Sequence, residues 1–168
     1  MIKLFRKRRG SVDIFILLML TLALMGCGAG RTMVLSPAET SAKFSSAELI
    51  EDKATVNVPG DVSASFQAKL SQLLYGQDGF TKGPGLRIRY RFIQFNPGSQ
   101  FTRWFWGGIG SAGKGTMTVE VKFLDSSDKE LSKIQSEGEI TSGAFGGSFD
   151  FALQKTAEEV AEYAKRFR

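Results

Sequence analysis

Between Leu86 and Phe92 every second residue is apolar and every residue between is arginine. Side chains alternate faces along a strand, so Leu86, Ile88, Tyr90 and Phe92 define a buried side and Arg87, Arg89 and Arg91 a polar stripe. The pattern predicts a strand over 86–95. A second strict alternation follows: Met117, Val119, Val121 and Phe123 point inward, and Thr118, Glu120 and Lys122 outward. The run from Asp125 to Lys129 reads as a hairpin turn, and 131–140 as a return strand, weaker in apolar content and half exposed. Such strands bury their apolar face only under another layer, and the chain supplies two helical stripes. Val62, Phe66, Leu70, Leu73 and Leu74 recur at steps of four, four, three and one, with Asp61 or Ser63 as a cap. Phe149, Leu153, Thr156, Ala157, Val160, Ala164 and Phe167 trace a second face, with Ser148 or Asp150 at its start and Glu162 and Arg166 as an i,i+4 pair. Upstream, 44–58 carries one or two extended pieces, with alternating Thr55-Val56-Asn57-Val58 the clearest. The expected fold is α+β: one four-stranded, mostly antiparallel sheet with two helices on one face, in the order β-α-β-β-β-α.

The first 26 residues stand apart. Lys3, Arg6, Lys7, Arg8 and Arg9 precede an apolar run from Ile14 to Met25, which is the signal-peptide pattern. The run holds about a dozen residues, whereas a spanning helix needs about 20. Leu24, Met25 and Gly26 lead into Cys27, the single cysteine of the chain. This end resembles a bacterial lipobox, with Met25 where Ala, Ser, Thr or Val is usual. It implies cleavage before Cys27 and a diacylglycerol thioether on its sulfur. An uncleaved anchor, or ordinary cleavage leaving a free thiol, stays open. Ser11 sits where a twin-arginine signal needs an apolar residue. Gly28 stands where Asp would retain a lipoprotein at the inner membrane, so the expected address is the periplasmic leaflet of the outer membrane. The expected organisation is a lipoprotein signal peptide over 1–26, a lipidated cysteine and flexible tether over 27–43, and a single α+β periplasmic domain over 44–168. Within the tether, Met33, Val34 and Leu35 offer a short edge strand as the alternative.

Composition then excludes whole classes of chemistry. The leader takes five of the 22 Lys and Arg and one of the 17 Asp and Glu, leaving 17 and 16. A basic-domain argument for a nucleic-acid partner does not survive that subtraction. The chain has no histidine, which rules out Ser-His-Asp and Cys-His catalysis and histidine metal sites. No metal or cofactor is expected. An enzyme here would run on carboxylates, and Glu120, Glu137 and Glu139 are the candidates for facing one another across strands.

Two groups of residues are candidate binding sites. Arg87, Arg89 and Arg91 form either an anion-binding stripe or a solvated face paired with Glu120, Glu137 or Glu139, at roughly 0.2–1 kcal/mol per pair. Trp104 and Trp106, within the aromatic run from Phe101, and Phe145 lie in glycine-rich stretches and are either core or an exposed contact for a partner. Gly108, Gly110 and Gly113 spell G-x-G-x-x-G, but a strand rather than a helix follows, so a dinucleotide site is not expected. Gly115 stands where a P-loop needs Ser or Thr.

The lipobox, Leu86-Arg87-Ile88-Arg89-Tyr90, Trp104-Phe105-Trp106-Gly107-Gly108 running into Gly110 and Gly113, Thr118-Val119-Glu120-Val121, and Ser142-Gly143 to Gly147 before a last helix together resemble a family of short bacterial lipoproteins. It is the domain-of-unknown-function family forty-four-ten. The resemblance implies a fold and no mechanism. The functional expectation is a membrane-anchored, non-enzymatic envelope lipoprotein that binds another envelope protein as an accessory subunit. The alternatives are an anionic-ligand or lipid-binding module and a carboxylate-based cell-wall hydrolase.

Overall fold

The computed structural model describes residues 30–38, 41–96, 115–140 and 149–168. In chain order the elements are β1 (Gly30–Ser36), β2 (Ser46–Glu51), α1 (Gly60–Tyr75), β3 (Thr81–Lys82), β4 (Leu86–Asn96), β5 (Gly115–Leu124), β6 (Glu130–Ile140) and α2 (Phe149–Ala164), closed by a 3-10 turn at Lys165–Phe167. The α+β class holds, but the sheet has six strands rather than four, in the order β1-β6-β5-β4-β2-β3. It is mixed: β1, β6, β5 and β4 pair antiparallel, whereas β2 runs parallel to both β4 and β3. The parallel pairing follows from α1, which carries the chain back to the end of the sheet where β2 began. The two unexpected strands are β1, inside the stretch expected to be a tether, and the two-residue β3.

The segment 55–58 is not a strand. It is irregular, and Thr55 ties it to the sheet by donating its backbone N–H and its hydroxyl to the Phe92 carbonyl (3.0 and 3.3 Å). Its β-branched residues are there for packing, since Val56 and Val58 lie against the core.

One core lies between the sheet and both helices. From α1 it takes Phe66, Leu70 and Leu74; from β4 and β5, Ile88, Tyr90, Phe92, Met117, Val119, Val121 and Phe123; from α2, Leu153, Ala157 and Val160. Phe66 meets Tyr90 and Phe92 edge-on at 5.3 and 5.5 Å, a favoured aromatic geometry. Phe123 packs on Tyr163 and Phe167 at 5.3 and 5.1 Å. Leu73, expected in the α1 stripe, is 37% exposed, because the buried line runs through the i,i+4 series Phe66, Leu70, Leu74. The expected caps of α1 are also replaced. Pro59 precedes the helix and its carbonyl accepts from Val62 and Ser63, while the Ser63 hydroxyl donates to Glu51 at 2.6 Å. At the end of α2, Glu162 pairs with Lys165 (2.6 Å), and Arg166 lies over the Tyr163 ring (4.6 Å) instead of pairing with Glu162.

The low apolar content of β6 has a packing cause rather than exposure. Ser132, Ile134, Ser136 and Gly138 face α2 and are buried. A Cβ on Gly138 would stand 2.4 Å from the Thr156 hydroxyl oxygen and 2.8 Å from the Ala152 carbonyl oxygen. Small residues let the helix backbone come this close to the strand. Gly138→Ala is therefore expected to destabilise the fold by about 1–3 kcal/mol, the usual cost of overpacking, read as a lower midpoint in chemical denaturation.

Candidate functional site

The helices cover one face of the sheet, and the other face carries the arginine stripe. Arg91 stands directly opposite Glu120 across β4 and β5. Its Nη2 lies 2.7 Å from Glu120 Oε1, and its Nε donates to the same oxygen at 2.9 Å. Lys133, on β6, takes Oε2 at 2.9 Å. Glu120 is thus held between two cations, one on each oxygen, with a side chain only 7% exposed. Burial pushes its carboxyl upward, but the hydrogen bond and charge of Lys133, joined by Arg91, outweigh that and leave the pKa below the ordinary carboxylate value.

The other two arginines also hold acids. Arg89 donates from Nε and Nη2 to one oxygen of Asp52, at 3.0 and 2.6 Å. Arg87 pairs with Asp128 and lies 3.6 Å from Glu48. Of the acids expected from the sequence, Glu120 is a partner of the stripe. Glu137 and Glu139 stand opposite Thr118 and Thr116, so the three glutamates share a face without any two standing directly opposite. Glu48, Asp52 and Asp128 were not legible as partners. The first two come from the parallel side of the sheet, and the third is brought over by the β5–β6 hairpin, where it adopts a positive φ of 66°. One cross-strand line concentrates charge of a single sign: Arg89 opposite Lys122, and Lys122 opposite Lys133.

A second feature lies at the sheet's edge. A groove of about 470 Å³ runs between β1 and α2, lined by Thr32, Val34, Glu159, Glu162, Tyr163, Lys165 and Arg166. Thr32 Oγ1 donates to Glu159 Oε2 at 2.9 Å, which holds the start of the strand to the helix. Farther along, Ser132 Oγ donates to the Ser36 carbonyl at 2.6 Å and meets the Tyr163 hydroxyl at 2.8 Å. The sequence signal for this feature was the apolar triplet Met33-Val34-Leu35. Nothing in the sequence indicated that α2 would flank it.

The strand register also defines one end of the sheet. Phe95, Met117, Gly138 and Gly30 stand in a single cross-strand row on β4, β5, β6 and β1. The chain therefore leaves β4 at Asn96, re-enters at Gly115, leaves β6 at Ile140 and begins β1 at this same end. Trp104, Trp106, Phe145, the glycines Gly108, Gly110 and Gly113, and Leu24, Met25, Gly26 and Cys27 lie outside the described residues. Among the described residues no helix is long and apolar enough to cross a membrane.

Residues 35–144 match the family described as Domain of unknown function (DUF4410), the family that the sequence motifs resemble. No curated protein matches the chain. Among solved structures it is similar to a PelC dodecamer from Paraburkholderia phytofirmans that carries a leucine-to-methionine substitution, at 15% identity and a TM-score of 0.48, over 80% of this chain and 95% of that one. A second PelC dodecamer structure from the same organism is similar at 14% identity and a TM-score of 0.47, over 80% and 96%.

The Glu120 cluster yields a pH prediction. A carboxylate whose folded pKa is lowered contributes stability that is fully present above its unfolded pKa, near 4.5, and is lost as pH falls through the lower folded value. Glu120→Gln is expected to cost about 2 kcal/mol at pH 7, the scale of hydrogen bonds to a charged group. It is also expected to flatten the acid limb of the stability profile below about pH 5. Urea titrations of both proteins between pH 3 and 7 measure both effects.

Proposed function

We propose that this chain, which belongs to the DUF4410 family, is a membrane-anchored bacterial envelope lipoprotein that binds another envelope protein without catalysing a reaction. Cleavage before Cys27 leaves that residue at the amino terminus, carrying lipid in the periplasmic leaflet of the outer membrane. A single acyl chain holds a protein only marginally at a bilayer, so durable attachment uses further chains on the same cysteine. The observation that carries this reading is the shared end of the sheet. β1 begins at Gly30, so Gly28 and Ala29 alone separate the anchor cysteine from it, in the same row as Phe95, Met117 and Gly138. The stretch holding Trp104 and Trp106 leaves β4 and rejoins the sheet as β5 at that end, and the stretch holding Phe145 leaves β6 there and leads into α2. These three aromatic residues are the proposed partner contacts.

The chemistry of Glu120 favours a binding role. A general acid in a hydrolase needs a raised pKa, whereas Glu120 is held ionised by Lys133 and Arg91. The anionic-ligand reading of Arg87, Arg89 and Arg91 draws support from the like-charged line of Arg89, Lys122 and Lys133, since like charges directly opposite are unfavourable without a counter-ion. Against it, each of the three arginines already holds a carboxylate. The line also stands several rows away from the Gly30 end, which disfavours a lipid headgroup as the ligand.

Two measurements test the proposal. Cys27→Ala is expected to leave the membrane fraction, and a variant that still floats with membranes would contradict the anchor. Cross-linking of the full-length protein in cells is expected to yield a defined envelope partner. Replacing Trp104 and Trp106 together with alanine is expected to reduce that capture about tenfold or more, in line with interface hot spots, while leaving the thermal transition in place. Unchanged capture by the folded double variant would remove these residues from the contact.

A further inference from the structure

β1 is the terminal strand of the sheet on the α2 side, so among the described residues no strand stands beside its outer edge. Natural edges are usually blunted by shortness, lysine, proline or a bulge, because an open row of N–H and C=O groups invites pairing. The opposite edge follows that rule: β3 is two residues long and includes Lys82. β1 follows it less. It is seven residues long with one charged side chain, Arg31. A register shift between Val34 and Ser36 bends its far end, leaving Gly30–Val34 regular. Four large apolar side chains are exposed among the described residues, and three are consecutive on this strand: Met33 (49%), Val34 (44%) and Leu35 (43%).

The groove beside β1 adds a polarity. Glu159 is held at its Gly30 end, bonded to Thr32 and close to Gly30. Tyr163 is tied through Ser132 to Ser36, and Lys165 and Arg166 follow it in the chain. Of the groove's charged residues, Glu159 therefore stands beside the start of β1, and Lys165 and Arg166 stand toward its end with Glu162 paired to Lys165. The Glu162–Lys165 pair within it is exposed and of the kind that contributes little, so both groups can exchange partners.

We propose that β1 accepts an extended segment of a partner protein as an added antiparallel strand. The segment is apolar in its middle, acidic at its amino-terminal end, where it meets Lys165 and Arg166, and basic at its carboxy-terminal end, where it meets Glu159. Main-chain pairing supplies the affinity, and the groove selects alternate side chains. This deepens the protein-binding reading and rests on it. The anchor argues against a second copy as occupant. Antiparallel pairing of two β1 strands would point their starts, each three residues from Cys27, in opposite directions, away from a shared membrane surface.

The test uses the full-length protein in detergent and two fluorescent seven-residue peptides of identical composition, Glu-Thr-Val-Thr-Val-Thr-Lys and Lys-Thr-Val-Thr-Val-Thr-Glu. The acid-first peptide is expected to bind about fivefold more tightly by anisotropy, through its two cross-strand charge contacts. Val34→Lys and Met33→Lys are each expected to abolish binding, and Leu73→Lys, an exposed apolar position on α1, to leave it unchanged. Thermal melts confirm that the variants fold. The proposal is overturned if neither peptide binds up to about 1 mM, if the two bind equally, if both β1 variants keep binding, or if β1 proves to pair with another copy of the chain. Peptide failure alongside an intact envelope capture would reject this edge and leave the protein-binding reading standing; peptide binding without envelope capture would do the reverse.

Discussion

The structure depends on an asymmetry: α1 and α2 both pack against the same face of the sheet. Phe66 closes over Tyr90 and Phe92, while Tyr163 and Phe167 close over Phe123. Burying these rings, together with Ile88, Val119 and Val121, is the main favourable term available to a domain of this size. The consequence falls on the opposite face. Among the described residues no apolar layer meets it, and its side chains satisfy one another. Glu120, almost fully buried there, is tolerable because each carboxylate oxygen meets a cation. Arg87 and Arg89 draw acids from β2, the segment after it and the hairpin to the same end.

The close seating of α2 shapes the sheet's margin. β6 presents Ser132, Ser136 and Gly138 to the helix, so the helix lies low and its flank reaches the outermost strand. That contact turns an upstream segment of modest apolar content into β1, because Thr32 and Ser36 find partners there through Glu159 and Ser132. It also leaves a polar-walled groove along an edge with exposed Met33 and Val34. The surface suited to a partner strand is thus a by-product of how closely one helix packs on a glycine.

Legibility in the sequence tracked the range of the interactions involved. β4 and β5 announce themselves through strict alternation, and the two helices through their stripes, since these patterns depend on local backbone geometry. Strands whose existence depends on a neighbour were harder to see. β1 carries an apolar triplet that reads equally well as tether or edge until α2 is placed beside it. β3 has two residues and no pattern to detect. In 55–58 the opposite error arises, where β-branched residues suggest a strand but serve to pack an irregular connection against the core. For the arginine stripe, the alternation identified a charged face and Glu120 as a partner, whereas Asp52, Glu48 and Asp128 depended on pairing that no period encodes.

The sequence by itself determined the α+β class, the two-helix cover, the polar face of β4, family membership, and the lack of histidine in the chain. These rest on residue type and on periodicities of 2 and 3.6, which are local. Tertiary structure alone decided the six-strand order, the parallel placement of β2, the two cations on Glu120, and the gathering of the β1 start with the ends of β4 and β6 and the start of β5 in one row. The physical reason is that strand neighbours, register and helix depth are chosen by long-range packing, where a glycine at 138 or a serine at 132 decides how close two elements come.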